Sequence, residues 1–305
     1  MEVKGQEILL SSPPPISSPR WWSSETVVVV TGGNKGIGFA LVKRFAELGL
    51  SVVLTSRDKE RGHKALDLLR SQGAFLLHVH FFQLDISNPS SITTFTSWFK
   101  HKFQALDILV NNAGVSFNEI HENSVENADT VIKTNFYGSK MLTQALLPLF
   151  RPSSPSFSAR ILNISSRLGS INKIRNPKLK EMLQSENLTI EEVEGMVSLF
   201  LKNVKDGTWK SQGWPEIWPD YAVSKMALNG YSRVLAKLYK DKGLSINCFC
   251  PGFTQTSMTG GKGTHTADDA ATVAASLALS PPKDLQTGRF YIGFHRPGKI
   301  MNSKL

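Results

Sequence analysis

Cysteine is scarce in this 305-residue chain: Cys248 and Cys250 are the only two. A disulfide framework is therefore not expected. Both lie in "SINCFCPGF", where strand alternation points them to one side, and we read them as reduced core thiols of a reducing compartment. No CxxC occurs, and His78, His80, His265 and His295 have no metal-ligand spacing. Long apolar runs are missing too. "TVVVVTGG" falls far short of the ~20 residues of a membrane-spanning helix, so no membrane association is expected. No lysine or arginine run reaches five residues and no RNA-binding signature appears, so nucleic acid is not an expected partner. The opening "MEVKGQEILLSSPPPISSPRWWSS" lacks the basic-then-apolar layout of a secretory leader, and Glu2 and Glu7 are unlike a transit peptide. Residues 1–24 are expected to be a flexible extension and the protein cytoplasmic, with organelle import left open.

What is present suits a globular protein. The chain is 41% hydrophobic, enough for a sizeable core, and its 35 basic against 25 acidic residues give a formal charge of +10. That balance implies an anionic partner, such as a phosphorylated cofactor. From residue 26 onward, short β-branched runs alternate with longer amphipathic ones, the pattern of βαβ units and a parallel sheet. Strands are expected at 26–31, 51–56, 78–85, 106–114, 159–166 and 244–252. Between the first two, Ile37, Ala40, Leu41 and Leu48 repeat at helical spacing, with Gly49 as a stop. The fold class is α/β, a doubly wound Rossmann-type sheet in a single domain over 25–305.

One interval breaks the rhythm. About 167–219 is longer than a simple crossover needs and reads as a helical insertion. Inside it "TIEEVEGMVSLFLKNV" opens on a capping box, Thr189 with Glu192, and carries Val193, Met196, Phe200 and Val204 on one helical face. Its tail holds Trp209, Trp214 and Trp218 just before Tyr221, so the insertion is expected to return to the site as a flap. The tryptophans either anchor that flap or touch substrate.

The first strand runs into "TGGNKGIG" at 31–38 and then a helix, the context a glycine-rich turn requires before it counts as a dinucleotide site. Gly32 allows the tight turn, Gly36 lets backbone approach the pyrophosphate, and Gly38 permits close packing. The helix N-terminus offers N–H groups to the anion. An ATP-binding GxxxxGK followed by Ser or Thr is absent; the other glycine-rich segment, "GGKGT" at 260–264, follows no strand. Arg57 stands at the end of the second strand, where an acid would bind a free ribose 2′-hydroxyl, and Lys35 is a second cation in the turn. Two positive groups favour NADPH over NADH. Asp58 is expected to point away.

Near the end, "PDYAVSK" sets Tyr221 and Lys225 four residues apart. On a helix these share a face. A phenol titrates near ~10, so an adjacent ammonium that favours phenolate would fit it for acid–base work at neutral pH. An isolated YxxxK is more often an accidental surface pair. Here it follows "TGGNKGIG" and "NNAG" at 111–114 in order. In these three motifs the chain, over about residues 26–290, resembles the short-chain dehydrogenase/reductase family. "NKGIG", "TSRD", "QLDI", "QGWP" and "CFCPG" are similar to its carbonyl-reductase branch, including the plant salutaridine-reductase-like and menthone-reductase-like enzymes.

The resemblance implies a catalytic set of Tyr221, Lys225, Ser166 and Asn135. Ser166, second in "NISS", would orient a carbonyl oxygen, with Ser165 the runner-up. Asn135 in "IKTNFYG" would hold a water against the lysine. It also implies cofactor contacts from Asn34 and Ile37 in the glycine turn, from Asp85 and Ile86 at the adenine, and from Asn112, Ala113 and Gly114 at the ribose. Pro251, Gly252, Thr254 and Thr256 would meet the carboxamide. The position of Thr254 is more often Val or Ile in the family, and "GFHRPGKIMNSKL" does not match its pattern. The expected activity is NADPH-dependent reduction of a small-molecule carbonyl, by a monomer whose flap covers helices through which relatives assemble. The alternatives are NADP-dependent oxidation of a terpenoid or steroid alcohol, and a catalytically silent dinucleotide-binding protein.

Overall fold

The run of four valines at Val27–Val30 is buried on both faces, which a parallel sheet with helices on each side demands. Val27 and Val29 enter one core, Val28 and Val30 the other. The computed structural model describes residues 7–16, 20–73, 78–117, 123–154, 157–281 and 286–294. Its strands are β1 (Glu7–Leu9), β2 (Val27–Val30), β3 (Ser51–Ser56), β4 (Val79–Gln83), β5 (Ile108–Asn111), β6 (Ala159–Ile164), β7 (Leu244–Cys250) and β8 (Phe290–Ile292). All pair in parallel in the order β1-β8-β7-β6-β5-β2-β3-β4. The chain winds outward from β2 through β3 to β4, then returns to β5 on the other side of β2. That reversal opens a crevice at the carboxyl ends of β2 and β5, where open α/β sheets bind ligands.

Helices α1 (Gly36–Glu47), α2 (Lys59–Arg70) and α9 (Ala267–Leu279) cover one face. The other face carries α3 (Pro89–Lys102), α4 (Val125–Ile132), α5 (Ser139–Leu146) and the long α8 (Pro219–Leu238). Between α4 and α5 the helix does not break; it widens into a π-helical turn at Lys133–Gly138 that contains Asn135. Single π turns inside helices recur at functional sites.

The insertion is helical, as expected. It contains α6 (Pro177–Gln184) and α7 (Ile190–Lys205). Thr189 Oγ1 accepts from Glu192 N at 3.1 Å and Thr189 N donates to Glu192 Oε2 at 2.9 Å, so the capping box closes both ways. Val193, Met196, Phe200 and Val204 are all buried in the core shared with α8. Lys140 Nζ meets Glu194 Oε1 at 2.6 Å and ties α7 to α5.

The N-terminal residues overturn the expectation of a flexible lead-in. Glu7–Leu9 form β1, paired to β8 in the register Glu7↔Phe290, and Leu10 N donates to Ile292 O. Trp22 is buried in the core beside α1, its Nε1 donating to Leu48 O at 3.2 Å. Trp21 Nε1 donates to Leu279 O at 3.2 Å, and its ring lies 4.6 Å from the guanidinium of Arg160. Arg160 in turn donates to Ala278 O at the carboxyl end of α9. Burial draws the Arg160 pKa down to about 9, which leaves it charged at neutral pH and favourable to the helix dipole. Glu7–Leu9 and Trp22 are thus part of the folded body, ahead of residue 25. Residues 1–6 and 295–305, the latter including His295 and most of "GFHRPGKIMNSKL", lie outside the described residues.

Candidate active site

Every motif of the sequence lies at the carboxyl edge of the sheet. The glycine turn follows β2, Arg57 follows β3, Asp85 and Ile86 follow β4, "NNAG" spans the end of β5, Ser165 and Ser166 follow β6, and Pro251 follows β7.

In the glycine turn Gly32 (φ +63°) and Gly36 (φ +54°) occupy left-handed conformations. A Cβ at Gly38 would collide with the carbonyl of Gly32 and the amide of Asn112. Lys35 caps α1 with no side-chain hydrogen bond, so the first N–H groups of the helix have no side-chain acceptor. Asn34 and Ile37 flank these positions in the same turn. Such a cradle suits a pyrophosphate. Across it, a Cβ on Gly36 would approach Thr256 Cγ2 at 3.3 Å, so the loop after β7 closes on the glycine turn.

Lys35 and Arg57 are both exposed. Asp58 is turned away, as expected: it caps α2 by accepting from Arg61 N at 2.9 Å and pairs with the Arg61 guanidinium at 3.3 Å. Asp85 Oδ1 accepts from both N and Oγ of Ser87, which shapes the turn holding Ile86. Ile86 is buried, and its carbonyl presses on Gly138 of the π turn so closely that a Cβ there would come within 2.7 Å.

"NNAG" serves the turn more than the sequence suggested. Asn112 Nδ2 donates to Thr31 O at 2.9 Å and to Gly32 O at 3.3 Å, so a ribose contact cannot use its amide N–H groups. Thr31 Oγ1 accepts from the backbone N of both Asn112 and Ala113 at 2.9 Å. Thr31 is thus a structural residue of the site that the motif contained but to which spacing gave no role. Gly114 stands between two members of the expected catalytic set: a Cβ on it would lie 3.2 Å from Asn135 Oδ1 and 3.6 Å from Lys225 Nζ.

The tyrosine and lysine share a face of α8, with Lys225 Nζ 5.5 Å from the centre of the Tyr221 ring. The electrostatics differ from expectation. Burial pushes the Tyr221 phenol well above its ordinary value, and the neighbouring Cys250 adds to the rise. Burial also draws Lys225 down to about 8. Both shifts follow from desolvation, which disfavours the charged form of each group; the Lys225 ammonium donates to Ile164 O at 2.8 Å, at the end of β6.

Asn135 is fully buried and its side chain is engaged on three sides. Its Oδ1 accepts from Val115 N at 2.8 Å, while Nδ2 donates to Val115 O at 2.9 Å and to Ser224 Oγ at 3.1 Å. It splints the segment after "NNAG" to α8. The two serines separate cleanly. Ser165 is buried and its hydroxyl donates to Asn229 Oδ1 at 2.6 Å, whereas Ser166 Oγ accepts from Leu168 N at 3.2 Å. Asn229 also donates to Gly169 O at 3.1 Å, which fastens the serine loop to α8.

Of the three insertion tryptophans, two are anchors. Trp209 and Trp214 are buried, and Trp214 Nε1 donates to Asn203 Oδ1 at 2.9 Å. Trp218 is different. It precedes α8 in a left-handed conformation (φ +47°), a strained position for a side chain of this size, and its ring stands edge-on to Tyr221 at 6.4 Å. The end of the insertion therefore meets the tyrosine ring at Trp218.

After β7, Cys248 and Cys250 are both free and buried, and both pack with Phe290 and Ile292. Cys250 Sγ accepts from Arg167 N at 3.2 Å and Gly252 N at 3.4 Å, joining the serine loop to the Pro251–Gly252 turn. Burial raises the Cys248 thiol to about 12. Thr254 is buried, with its hydroxyl donating to Pro251 O, and Thr256 N donates to Thr259 Oγ1. Sequence reasoning missed His265, which holds this turn; with no metal partner in the sequence it gave no signal.

A family model for short chain dehydrogenase matches residues 26–177 and 211–267. The chain is 36% identical over 286 residues to (+)-neomenthol dehydrogenase of Arabidopsis thaliana, covering 86% of this chain and 94% of that one. It is 35% identical over 260 residues to carbonyl reductase [NADPH] 1 of Rattus norvegicus, covering 83% and 90%. The fold matches the solved structure of salutaridine reductase from Papaver somniferum with a TM-score of 0.80 and 34% identity, over 87% of this chain and 99% of that one. The interval the family model skips, between 177 and 211, falls within the helical insertion. With its glycine turn, "NNAG" and tyrosine–lysine pair gathered at one sheet edge, the chain belongs to the short-chain dehydrogenase family.

Proposed function

We propose that this protein reduces a ketone or aldehyde to the alcohol with NADPH, Tyr221 delivering the proton. The observation that carries the reading is the convergence of Lys225 over the Tyr221 ring with Gly114, Asn135 and the serine loop, at the same sheet edge as the glycine cradle, Lys35 and Arg57. The name of the Rattus norvegicus relative includes NADPH, in keeping with those two cations.

NADPH supplies the hydride when bound; the chain's own residues supply the proton and the geometry. A phenol held above its ordinary value is protonated at neutral pH, so Tyr221 begins a reduction holding the proton it must give. The same shift makes it a weak acid, and negative charge developing on the substrate oxygen must draw the proton out. Ser166 is suited to that oxygen: its Oγ accepts from Leu168 N, which leaves its own O–H to donate. Ser165 has already committed its hydroxyl to Asn229. Lys225 keeps two of its three N–H donors beyond the bond to Ile164. Because the Asn135 side chain is engaged, a relay water beside the lysine would rest on the main chain of the π turn. Trp218 is the flap's contact with the reacting end of the substrate.

A panel of ketones, aldehydes and quinones with NADPH, followed at the nicotinamide absorbance, tests the activity. Tyr221→Phe is expected to lower turnover by about 10²–10⁴-fold while cofactor affinity is kept. An active Tyr221→Phe enzyme would sink the assignment. The second reading, oxidation of an alcohol with NADP, draws on the dehydrogenase name of the Arabidopsis thaliana relative. The ratio of catalytic efficiencies in the two directions decides between them. A monomer in the cytoplasm completes the proposal, supported by the helical insertion packed over α8 and by the two free thiols.

A further inference from the structure

The Pro251–Gly252 turn has few bonds of its own. Proline offers no N–H, and Gly252 sits at φ +73°. Cys250 Sγ accepts from Gly252 N and Thr254 Oγ1 donates to Pro251 O at 3.1 Å from within the loop; from farther along the chain the turn is held by His265, fourteen residues on. Its Nε2 lies 2.8 Å from Pro251 O; since a carbonyl only accepts, Nε2 carries the proton and donates. Its Nδ1 lies 3.0 Å from Thr264 Oγ1, and its ring stacks on Phe294 with centroids 3.9 Å apart and planes 19° apart. Main-chain bonds fix the segment that carries it: Gln255 N donates to His265 O at 2.8 Å and Thr264 N to Phe253 O at 2.7 Å. A Cβ on Gly252 would come within 2.7 Å of His265 Nε2, so the ring is the wall against which the turn is folded. Both ring nitrogens and one ring face are thus engaged, and the imidazole is a rigid strut.

We propose that His265 is a positioning residue for the nicotinamide end of NADPH: by holding the Pro251 carbonyl it sets the Pro251–Gly252 turn, and the Thr254–Thr256 loop beyond, at the height where they receive the carboxamide. The inference rests on the cofactor reading above and adds to it a residue that never touches the substrate. It also explains the segment "GGKGTHT": the chain loops out through Gly260 and Gly261, both at positive φ, and returns so that His265 faces the turn.

The test separates the two halves of the cofactor. NADPH and adenosine 2′,5′-bisphosphate, which lacks the nicotinamide, are titrated against the wild type, His265→Leu and His265→Gln by calorimetry. His265→Leu is expected to weaken NADPH about fivefold, the scale of one lost hydrogen bond, and to leave the bisphosphate within about twofold. His265→Gln, whose amide N–H can reach the carbonyl, recovers most of the NADPH affinity. Equal weakening of both ligands, or no change in NADPH, overturns the proposal. If the wild type binds the bisphosphate but not NADPH, the cofactor reading itself fails, and the inference with it. Should His265→Leu not fold, Thr264→Val unpins the ring and is expected to cost about threefold on NADPH alone; an equal loss on both ligands, or none, counts against the strut.

Discussion

A single lysine carries two duties in this site, and its position shows how they compete. Lys225 faces the Tyr221 ring but spends its shortest bond on Ile164 O, and burial brings it down to about 8. Its charge is therefore present at neutral pH and lost as pH rises through about 8, well below the ~10.4 of a free lysine. Reduction is expected to decline across that interval, with a limb near pH 8 in kcat/KM. Lys225→Arg should move the limb out of the accessible range; an unshifted limb assigns it to another group. At the other end of the cofactor, Arg57 is exposed at the end of β3 while Asp58 is tied to Arg61. Arg57→Asp is expected to cut the preference for NADPH over NADH by about 10- to 100-fold, as for loss of a charge-assisted bond to the 2′-phosphate. Steady-state KM values for the two cofactors measure it. These residues were legible because their spacing is the chemistry. The direction of the Tyr221 shift was not, because it depends on how deeply the phenol is buried and on Cys250 beside it, which only the fold brings there.

Elements were legible where their pattern was long. The capping box at Thr189 and the apolar face from Val193 to Val204 sit where periodicity put them, since a 16-residue helix repeats its signal several times. β1 and β8 are three residues each, too short for alternation to register, and what pairs them is tertiary. The two tryptophans at 21 and 22 were the available clue, for a flexible tail has no use for large rings. Trp22 is 5% exposed, packs beside α1 and bonds Leu48 O. Trp22→Ala is expected to destabilise the fold by about 3–5 kcal/mol, read as a fall in the urea midpoint. A change under about 1 kcal/mol would mean the N-terminal segment is not part of the cooperative unit.

At the scale of the whole molecule, Lys35 and Arg57 stand at the carboxyl edge of the sheet, where the glycine turn lies. α6 and α7 are packed over α8, while β1 pairs with β8 and is itself the edge strand at that end of the sheet. The covered face of α8 is a surface through which a second copy could otherwise add. Sedimentation at micromolar concentration is expected to give a single species of one chain; a stable tetramer would refute this. The net charge of +10 adds long-range repulsion between copies and attraction for an anionic cofactor, so salt should weaken NADPH binding more than it alters turnover.

The pairing of Glu7 with Phe290 also dictates an order of assembly. During synthesis β1 leaves the ribosome early, yet among the described residues its neighbour in the sheet is β8, the last strand. The strands from β2 to β7 can pair before Phe290 appears, and Trp22 can reach α1, while β1 waits for its partner. Docking of β1 is thus the step that reports completion of the tail, and a ribosome stalled before Phe290 should leave Glu7–Leu9 open to protease after the middle of the sheet has become resistant.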